Sequence, residues 1–179
     1  QNWFEVVRPN GGNVPGRFSE SKLPDPDLAL EDLSTEEWRE ALRACKGMVL
    51  RQEIYELDVD RLAEGEHHPT KLFSSAYHNC HIQRLQPRLE NPHAVFLVTE
   101  SEAITYHYEL DLTMNAVTPD PRVSHTLNLR IDEFGNVQQA VTVAYPRFGK
   151  HEDTSLPSNT EDLIAAVQQE RHVAYTETR

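Results

Sequence analysis

The strongest constraint on the fold is the alternation of side chains in residues 122–145, which predicts a β-hairpin. From Val123 to Ile131, apolar residues alternate with polar ones, which is typical of a strand with one buried face. The alternation resumes at Val137 and continues to Tyr145. We therefore expect two paired strands that bury the same face.

The residues between these strands also predict how the strands are paired. Asp132 suits the first position of a type I turn, and Gly135 suits the left-handed position that follows. A slip of one residue would bury the polar side chains instead of the apolar ones. The expected pairs are Ile131 with Val137, Leu127 with Val141, and Val123 with Tyr145.

Composition and charge exclude several classes of partner. The chain has 179 residues, of which 38% are hydrophobic, enough for one domain with a core. It has 29 acidic and 17 basic side chains and a formal net charge of -12, which argues against binding to nucleic acid or to anionic membrane surfaces. The longest apolar run, residues 94–98, is too short to cross a bilayer, so we expect no membrane insertion.

The composition of the chain predicts that its first 33 residues are organised differently from the rest. Residues 1–33 are rich in Pro and Gly, and we expect an extended connector there. Residues 34–179 are predicted to form a single β-rich domain. The chain begins at Gln1 without a Met or a signal-like segment, which suggests a processed protein or a fragment of a longer one, and we favour the fragment.

Two helices are predicted from capping signals. Ser34 and Glu37 have the spacing of a capping box, and the helix that they begin is expected to end at Gly47. A second capping box, formed by Ser158 and Glu161, predicts a short helix that reaches about Arg171.

Further strands are predicted by apolar and alternating runs, with loops at 58–70 and 111–121. Because the pattern has no βαβ rhythm, the fold class is mainly β with two short helices (α+β), an antiparallel sheet or sandwich built around the 122–145 hairpin. We expect the first helix to cover the aromatic strand at residues 104–110 and the apolar face of the hairpin. The additional strands are expected at 48–57, 77–86, 94–100 (buried on both faces), 104–110 and 173–178.

The histidines and cysteines present the main hypotheses for a metal site. His78, Cys80 and His81 are close in sequence, but on a strand His81 points away from the other two, so three ligands do not converge. His67 and His68 are expected to be solvated, and His107 and His125 to be satisfied strand residues. We therefore predict no metal ligands and no cofactor.

No catalytic site is predicted either. The sequence has no Gly-x-Ser-x-Gly elbow, no local cysteine-protease signature and no phosphate-binding glycine loop. Cys45 and Cys80 are enough for one disulfide, but nothing in their spacing requires it. The prediction for catalytic residues is none.

Several segments, in order, resemble the middle region of the B component of bacterial insecticidal Tc toxins, the TcdB and TcaC family. The turn at residues 132–136 is also similar to hairpin turns of Rhs and YD-repeat proteins. The similar segments are Leu33-Ser34 with residues 38–53 (WREALRACKGMVLRQE), His78 with 84–88 (RLQPR), 93–109 (HAVFLVTESEAITYHYE), 120–145 (DPRVSHTLNLRIDEFGNVQQAVTVAY) and 175–179 (YTETR).

This resemblance implies a structural role. In that family the B component joins a C component in a hollow β-walled shell around a cytotoxic polypeptide, and a β-propeller of B docks on the pore-forming A component. The similar region follows the propeller. The resemblance therefore implies a non-catalytic domain of a secreted toxin subunit whose partners are neighbouring domains of that subunit and the C and A components.

Two alternative functions stay open at this stage. One is a β-rich module that binds carbohydrate or protein through the loops at 58–70 and 111–121, which a concave aromatic patch would favour. The other is a metal-dependent hydrolase that uses His78, Cys80 or His81.

Overall fold

A computed structural model describes residues 20, 23–28, 33–57, 59–65, 71–111, 119–147, 149 and 157–178. These residues form one seven-stranded sheet with short helices, which confirms the predicted mainly β fold class as a single sheet. The strands are β1 (Asp27–Leu28), β2 (Arg51–Glu56), β3 (Lys71–Gln86), β4 (Val95–Asp111), β5 (Arg122–Ile131), β6 (Val137–Ala144) and β7 (His172–Glu177). The helices are α1 (Thr35–Ala44), α2 (Val59–Ala63) and α3 (Ser158–Gln168).

The sheet is built on two successive antiparallel hairpins. The strand order is β1-β3-β4-β5-β6-β7, and β2 also pairs with β3. Both β1 and β2 use the edge of β3 that faces away from β4, β2 along the first half of β3 and β1 near Ile82. The two-residue pairing of β1 is parallel, and the other pairings are antiparallel.

The hairpin of β5 and β6 has the predicted register. Ile131 pairs with Val137 and Leu127 pairs with Val141. The backbone nitrogen of Tyr145 also donates a hydrogen bond of 3.0 Å to the carbonyl oxygen of Val123. The local turn chemistry therefore fixes the pairing as expected.

The turn itself has the expected geometry. The carbonyl oxygen of Asp132 accepts a bond of 3.1 Å from the nitrogen of Gly135, and Gly135 has a φ of +90°. The Asp132 carboxylate accepts bonds from the backbone nitrogens of Phe134 and Asn136. Hydrogen bonds from Asn136 are the main cause that lowers the pKa of Asp132.

One part of the predicted hairpin pattern was wrong. The pairing shifts between Asn128 and Arg130, so Leu129 has no partner in the ladder and is 57% exposed. Gln138 on the partner strand is skipped as well, between the pairs Arg130–Gln139 and Ile131–Val137, so the two irregularities offset each other and the register is the same on both sides.

The segments 94–100 and 104–110 are one strand, β4, and not two. Asn79 pairs with Glu102 whereas Cys80 pairs with Glu100, so Ser101 is an extra residue in β4. A bulge reverses which residues face each side, which is why the sequence pattern looked interrupted. Burial of the first segment on both faces was also wrong, since Val95 is 45% exposed.

Helix α1 begins as predicted. The Ser34 hydroxyl caps the backbone nitrogen of Glu37, and the Glu37 side chain accepts a bond from the backbone nitrogen of Ser34. Ala41 of α1 packs in a core with Cys80 and Ile82, next to the half-buried Phe96. The expectation that α1 covers the aromatic strand was wrong, because it packs on the other end and the other face of β4.

One of the remaining helices was not predicted, and the other begins differently from the prediction. The structure forms α2 within the predicted 58–70 loop, because Val59–Ala63 contains neither Gly nor Pro and ends just before Gly65, whose φ is +98°. Helix α3 is capped by Pro157 without a side-chain bond, so the predicted capping box at Ser158 was wrong. Strand β7 lies where the last strand was predicted. No helix in the described ranges has the length and hydrophobicity needed to cross a bilayer.

Candidate functional site

The histidines that suggested a metal site lie apart and each has a carboxylate neighbour. His78 Nδ1 lies 2.7 Å from Glu100, and His81 Nδ1 lies 3.0 Å from Asp27. His78 and Cys80 share one face of β3 and His81 has the other, as the alternation predicted. Among the described residues no group of three or more His, Cys, Asp or Glu is arranged to hold a metal ion. His67 and His68 lie outside the described residues, and the absence of a metal site stays a prediction.

His125 is the histidine with the most complete set of partners. Its Nε2 lies 2.7 Å from Glu102, and its Nδ1 lies 2.9 Å from the hydroxyl of Tyr145. Because a carboxylate only accepts, Nε2 carries a proton, and in the neutral ring Nδ1 accepts from Tyr145. The Tyr145 ring also stacks on His125 and lies under the guanidinium of Arg171. This arrangement joins β4, β5 and the end of β6.

A second polar cluster surrounds Glu20, whose side chain is 6% exposed. We call it the Glu20 cluster: Glu20, Arg51, Ser75, Tyr77 and Tyr108. The carboxylate accepts hydrogen bonds from the hydroxyls of Ser75, Tyr77 and Tyr108, and Arg51 Nη2 lies 3.8 Å away. No feature of the sequence predicted this cluster, because its carboxylate lies in the segment expected to be a connector.

The electrostatics of the Glu20 cluster favour a structural role. Burial, reinforced by the hydrogen bond to Glu20, raises the pKa of Tyr77 and of Tyr108 well above the ordinary value. Both hydroxyls are therefore protonated donors at neutral pH and do not act as bases. The cluster neutralises and holds a buried carboxylate, which ties Glu20 to the start of β3 and the end of β4.

One open cavity of about 260 Å³ lies beside the hairpin turn. Its wall is mostly polar and contains no Phe, Tyr or Trp: Asp27, His81, Gln83, Leu97, Thr99, Ser101, Asn128, Leu129, Ile131 and Asp132. The aromatic patch that would favour a binding module was expected at residues 58–70 and 111–121, and positions 58, 66–70 and 112–118 lie outside the described residues.

The apolar face of the sheet becomes exposed toward β7. Ladder partners share a face, so Ile104, His125, Val143 and Val173 form one row across β4 to β7. Ile104 is 5% exposed, whereas Val173 is 61% exposed. The neighbouring row runs from Leu127 and Val141 to Tyr175. We call the apolar members of both rows the apolar stripe: Ile104, Leu127, Val141, Val143, Val173 and Tyr175.

The free edge of the sheet lies at the exposed end of the apolar stripe. Within the part of the chain that the structure describes, β7 pairs only with β6. An edge strand that must stay unpaired usually contains Pro, Lys or a bulge. Strand β7, with the sequence HVAYTE, contains no Pro, Lys or bulge, and its one acidic side chain is Glu177 at the C-terminal end. The β7 edge and the apolar stripe are therefore suited to continued packing and strand pairing.

Comparison with known families identifies the kind of protein that carries this surface. Residues 40–179 match the family described as the insecticide toxin TcdB middle/C-terminal region. The chain belongs to this family. The matched range includes β2 to β7, and therefore the whole apolar stripe and the β7 edge. The TcdB middle/C-terminal assignment confirms the resemblance seen in the sequence segments.

Solved structures similar to this TcdB-family chain include complexes of Tc toxin components. A crystal structure of TcdB2-TccC3 is 23% identical over 82% of this chain, with a TM-score of 0.59. A crystal structure of TcdB2-TccC3-Cdc42 is 23% identical over 88% of this chain, with the same TM-score. A Photorhabdus luminescens Tc holotoxin pore is 22% identical over 82% of this chain, with a TM-score of 0.56.

These similarities show a shared fold. The chain spans 7% of the length of the two crystal-structure chains and 6% of the holotoxin chain. No curated protein matches the chain. The chain is thus part of the middle/C-terminal region of a TcdB-type insecticide toxin.

Proposed function

We propose that this chain is a non-catalytic wall segment of a secreted Tc toxin B subunit. Neighbouring domains of the same subunit cover the apolar stripe and pair with the β7 edge. The wall contributes to a shell, formed with a C component, that encloses a cytotoxic polypeptide, and the complete subunit docks on an A component. The single observation that carries this proposal is the loss of cover along the apolar stripe toward an unprotected strand edge.

The contrast between the two faces of β7 supports the proposal. The apolar stripe ends at Val173 and Tyr175, both more than half exposed. The opposite face carries Ala174, which pairs with Thr142, which lies beside Thr126. Exposed apolar groups at the end of largely apolar rows are typical of a surface that is covered in the assembled protein. The opposite row of small and hydroxylated residues suits contact with water.

The proposal also accounts for the polar clusters. The partners of His125 and the Glu20 cluster join strands to one another through hydrogen bonds between side chains of the chain itself. Such networks stiffen a sheet without requiring a substrate. We therefore assign no catalytic, cofactor-binding or metal-binding residues to the described part of the chain.

The test is to introduce Val173→Asp into the complete subunit encoded by the reading frame that contains this chain. The subunit is produced together with its C component, and assembly is measured by size-exclusion chromatography and electron microscopy. A charge at a buried interface should reduce the yield of hollow particles by about tenfold or more. Protease protection of the enclosed polypeptide should fall in parallel.

The matched control is Ala174→Asp, which places the same charge on the opposite face of the same strand. It should leave the yield and the protease protection close to wild type. An equal effect of both variants, or no effect of Val173→Asp, would contradict the proposal. A complete subunit that forms no hollow particle with a C component would also contradict it.

A further inference from the structure

The two cysteines of the chain are 35 residues apart in sequence but adjacent in space. Cys45 is the C-cap residue of α1, and Cys80 lies in the middle of β3. Their sulfur atoms are 3.9 Å apart. A disulfide needs a separation of about 2.05 Å, which rotation of the Cys45 side chain and a small shift at the helix end can supply.

The two cysteines differ in their exposure to solvent. Cys80 is 1% exposed and packs with Ala41 and Ile82, whereas Cys45 is partly exposed. Burial and the neighbouring Cys45 raise the pKa of Cys80 to about 11. Of the two cysteines, Cys45 is therefore the more accessible to a reagent in water. Within the described residues no third metal ligand joins the two thiols, so thiol chemistry is the reaction that this geometry favours.

We propose that Cys45 and Cys80 form an intramolecular disulfide when the protein meets a low-molecular-weight disulfide such as oxidised glutathione. The inference does not depend on the proposed shell function. It assigns a covalent modification that fastens α1 to β3 and encloses β2 and α2 in the resulting loop.

The reaction proceeds in two thiol exchanges. The Cys45 thiolate attacks one sulfur of the small disulfide, whose S–S bond breaks, giving a mixed disulfide on Cys45 and one small thiol. Cys80 then loses its proton and attacks the Cys45 sulfur, which forms the protein disulfide and releases the second small thiol. Two cysteine thiols are oxidised, one small disulfide is reduced, and the two protons end on the released thiols.

The experiment treats the full chain with oxidised glutathione in native buffer at pH 8, stops exchange with acid and maps the peptides by mass spectrometry without reduction. We expect a single linked pair of peptides that contain Cys45 and Cys80, and an intact mass lower by two hydrogens. The midpoint of thermal unfolding should rise by about 10 °C on oxidation, and a reductant should reverse the rise.

Two variants distinguish the order of steps. Cys80→Ala should accumulate one glutathione on Cys45, whereas Cys45→Ser should stay unmodified while folded because Cys80 is buried. If either variant fails to fold, the peptide map of the wild-type chain still decides the matter. Two thiols that remain free in the wild-type chain, a stable glutathione adduct on Cys45, or a bridge between two chains would each overturn the proposal.

Discussion

The carboxylate of Glu37 lies 2.8 Å from the backbone nitrogen of Arg88, 51 residues further along the chain. The same side chain accepts from the backbone nitrogen of Ser34 and lies 3.3 Å from Arg84 Nη1. A capping residue of α1 therefore also accepts a hydrogen bond from the backbone of the segment that follows β3. The start of α1 and the end of β3 therefore depend on one carboxylate, that of Glu37, a residue that is only 5% exposed.

Glu37 should make the stability of the protein depend on acid. Bonds from the backbone of Arg88 and Ser34 lower its pKa from 4.5 to about 2. Because the pKa is lower in the folded state, the stabilisation is complete above pH 4.5 and is lost as the pH falls toward 2. We expect Glu37→Gln to lower the melting temperature at pH 7 by about 3 to 6 °C. Between pH 4.5 and pH 2, the free energy of unfolding measured by urea denaturation should fall less for Glu37→Gln than for the wild type.

Glu36 provides the control for this prediction. It lies in the same helical turn, is 57% exposed and pairs with Arg39. We expect Glu36→Gln to change the melting temperature by less than about 2 °C and to leave the acid dependence unchanged. Identical acid profiles for the two variants would refute the assignment to Glu37.

Ile82 should be a main source of stability for the packing of α1 on the sheet. It is 2% exposed and contacts the core that includes Ala41 and Cys80. Ile82→Ala removes buried methyl groups and leaves a cavity, so the free energy of unfolding in urea should fall by about 2 to 5 kcal/mol. Leu85→Ala, at a 52% exposed position of the same strand, should cost less than about 1 kcal/mol. Similar losses in both variants would show that α1 does not pack as described.

Gly135 should be required for its backbone conformation and not for lack of space. Its φ is +90°, and an added Cβ would meet the Thr99 side chain at an ordinary distance of 3.6 Å. Gly135→Ala should therefore cost about 1 kcal/mol of unfolding free energy through backbone strain. Gly135→Asn should cost less, because Asn adopts the left-handed conformation more readily. The prediction fails if Asn is as destabilising as Ala in chemical denaturation.

Tyr145 should stabilise the sheet through His125. Tyr145→Phe removes the hydroxyl that lies 2.9 Å from His125 Nδ1 and should lower the unfolding free energy by about 1 kcal/mol. Tyr175→Phe, at a 55% exposed position, should stay within about 0.5 kcal/mol of wild type. In a double-mutant cycle with Glu102→Gln, the two changes should be non-additive, because both residues bond to the same imidazole ring. Strict additivity would contradict the shared contact.

The sequence by itself determined the elements that depend on neighbours a few residues away. The capping box of Ser34 and Glu37 and the turn that ends at Gly135 satisfy their own backbone groups, so their chemistry can be predicted locally. The hairpin register follows from the turn and from the alternation on either side of it. The ordered segments also sufficed to indicate the TcdB family, which the match over residues 40–179 confirmed.

Only the tertiary structure decided which distant groups meet. Glu20 reaches Ser75 and Tyr108, which are 55 and 88 positions away, and no periodicity in the sequence reports such a contact. The bulge at Ser101 reverses which side chains of β4 face each side. The core that α1 covers and the apolar stripe therefore lie on opposite sides of the sheet. Pairing and burial depend on how complete strands pack against each other, and local propensity does not encode that choice.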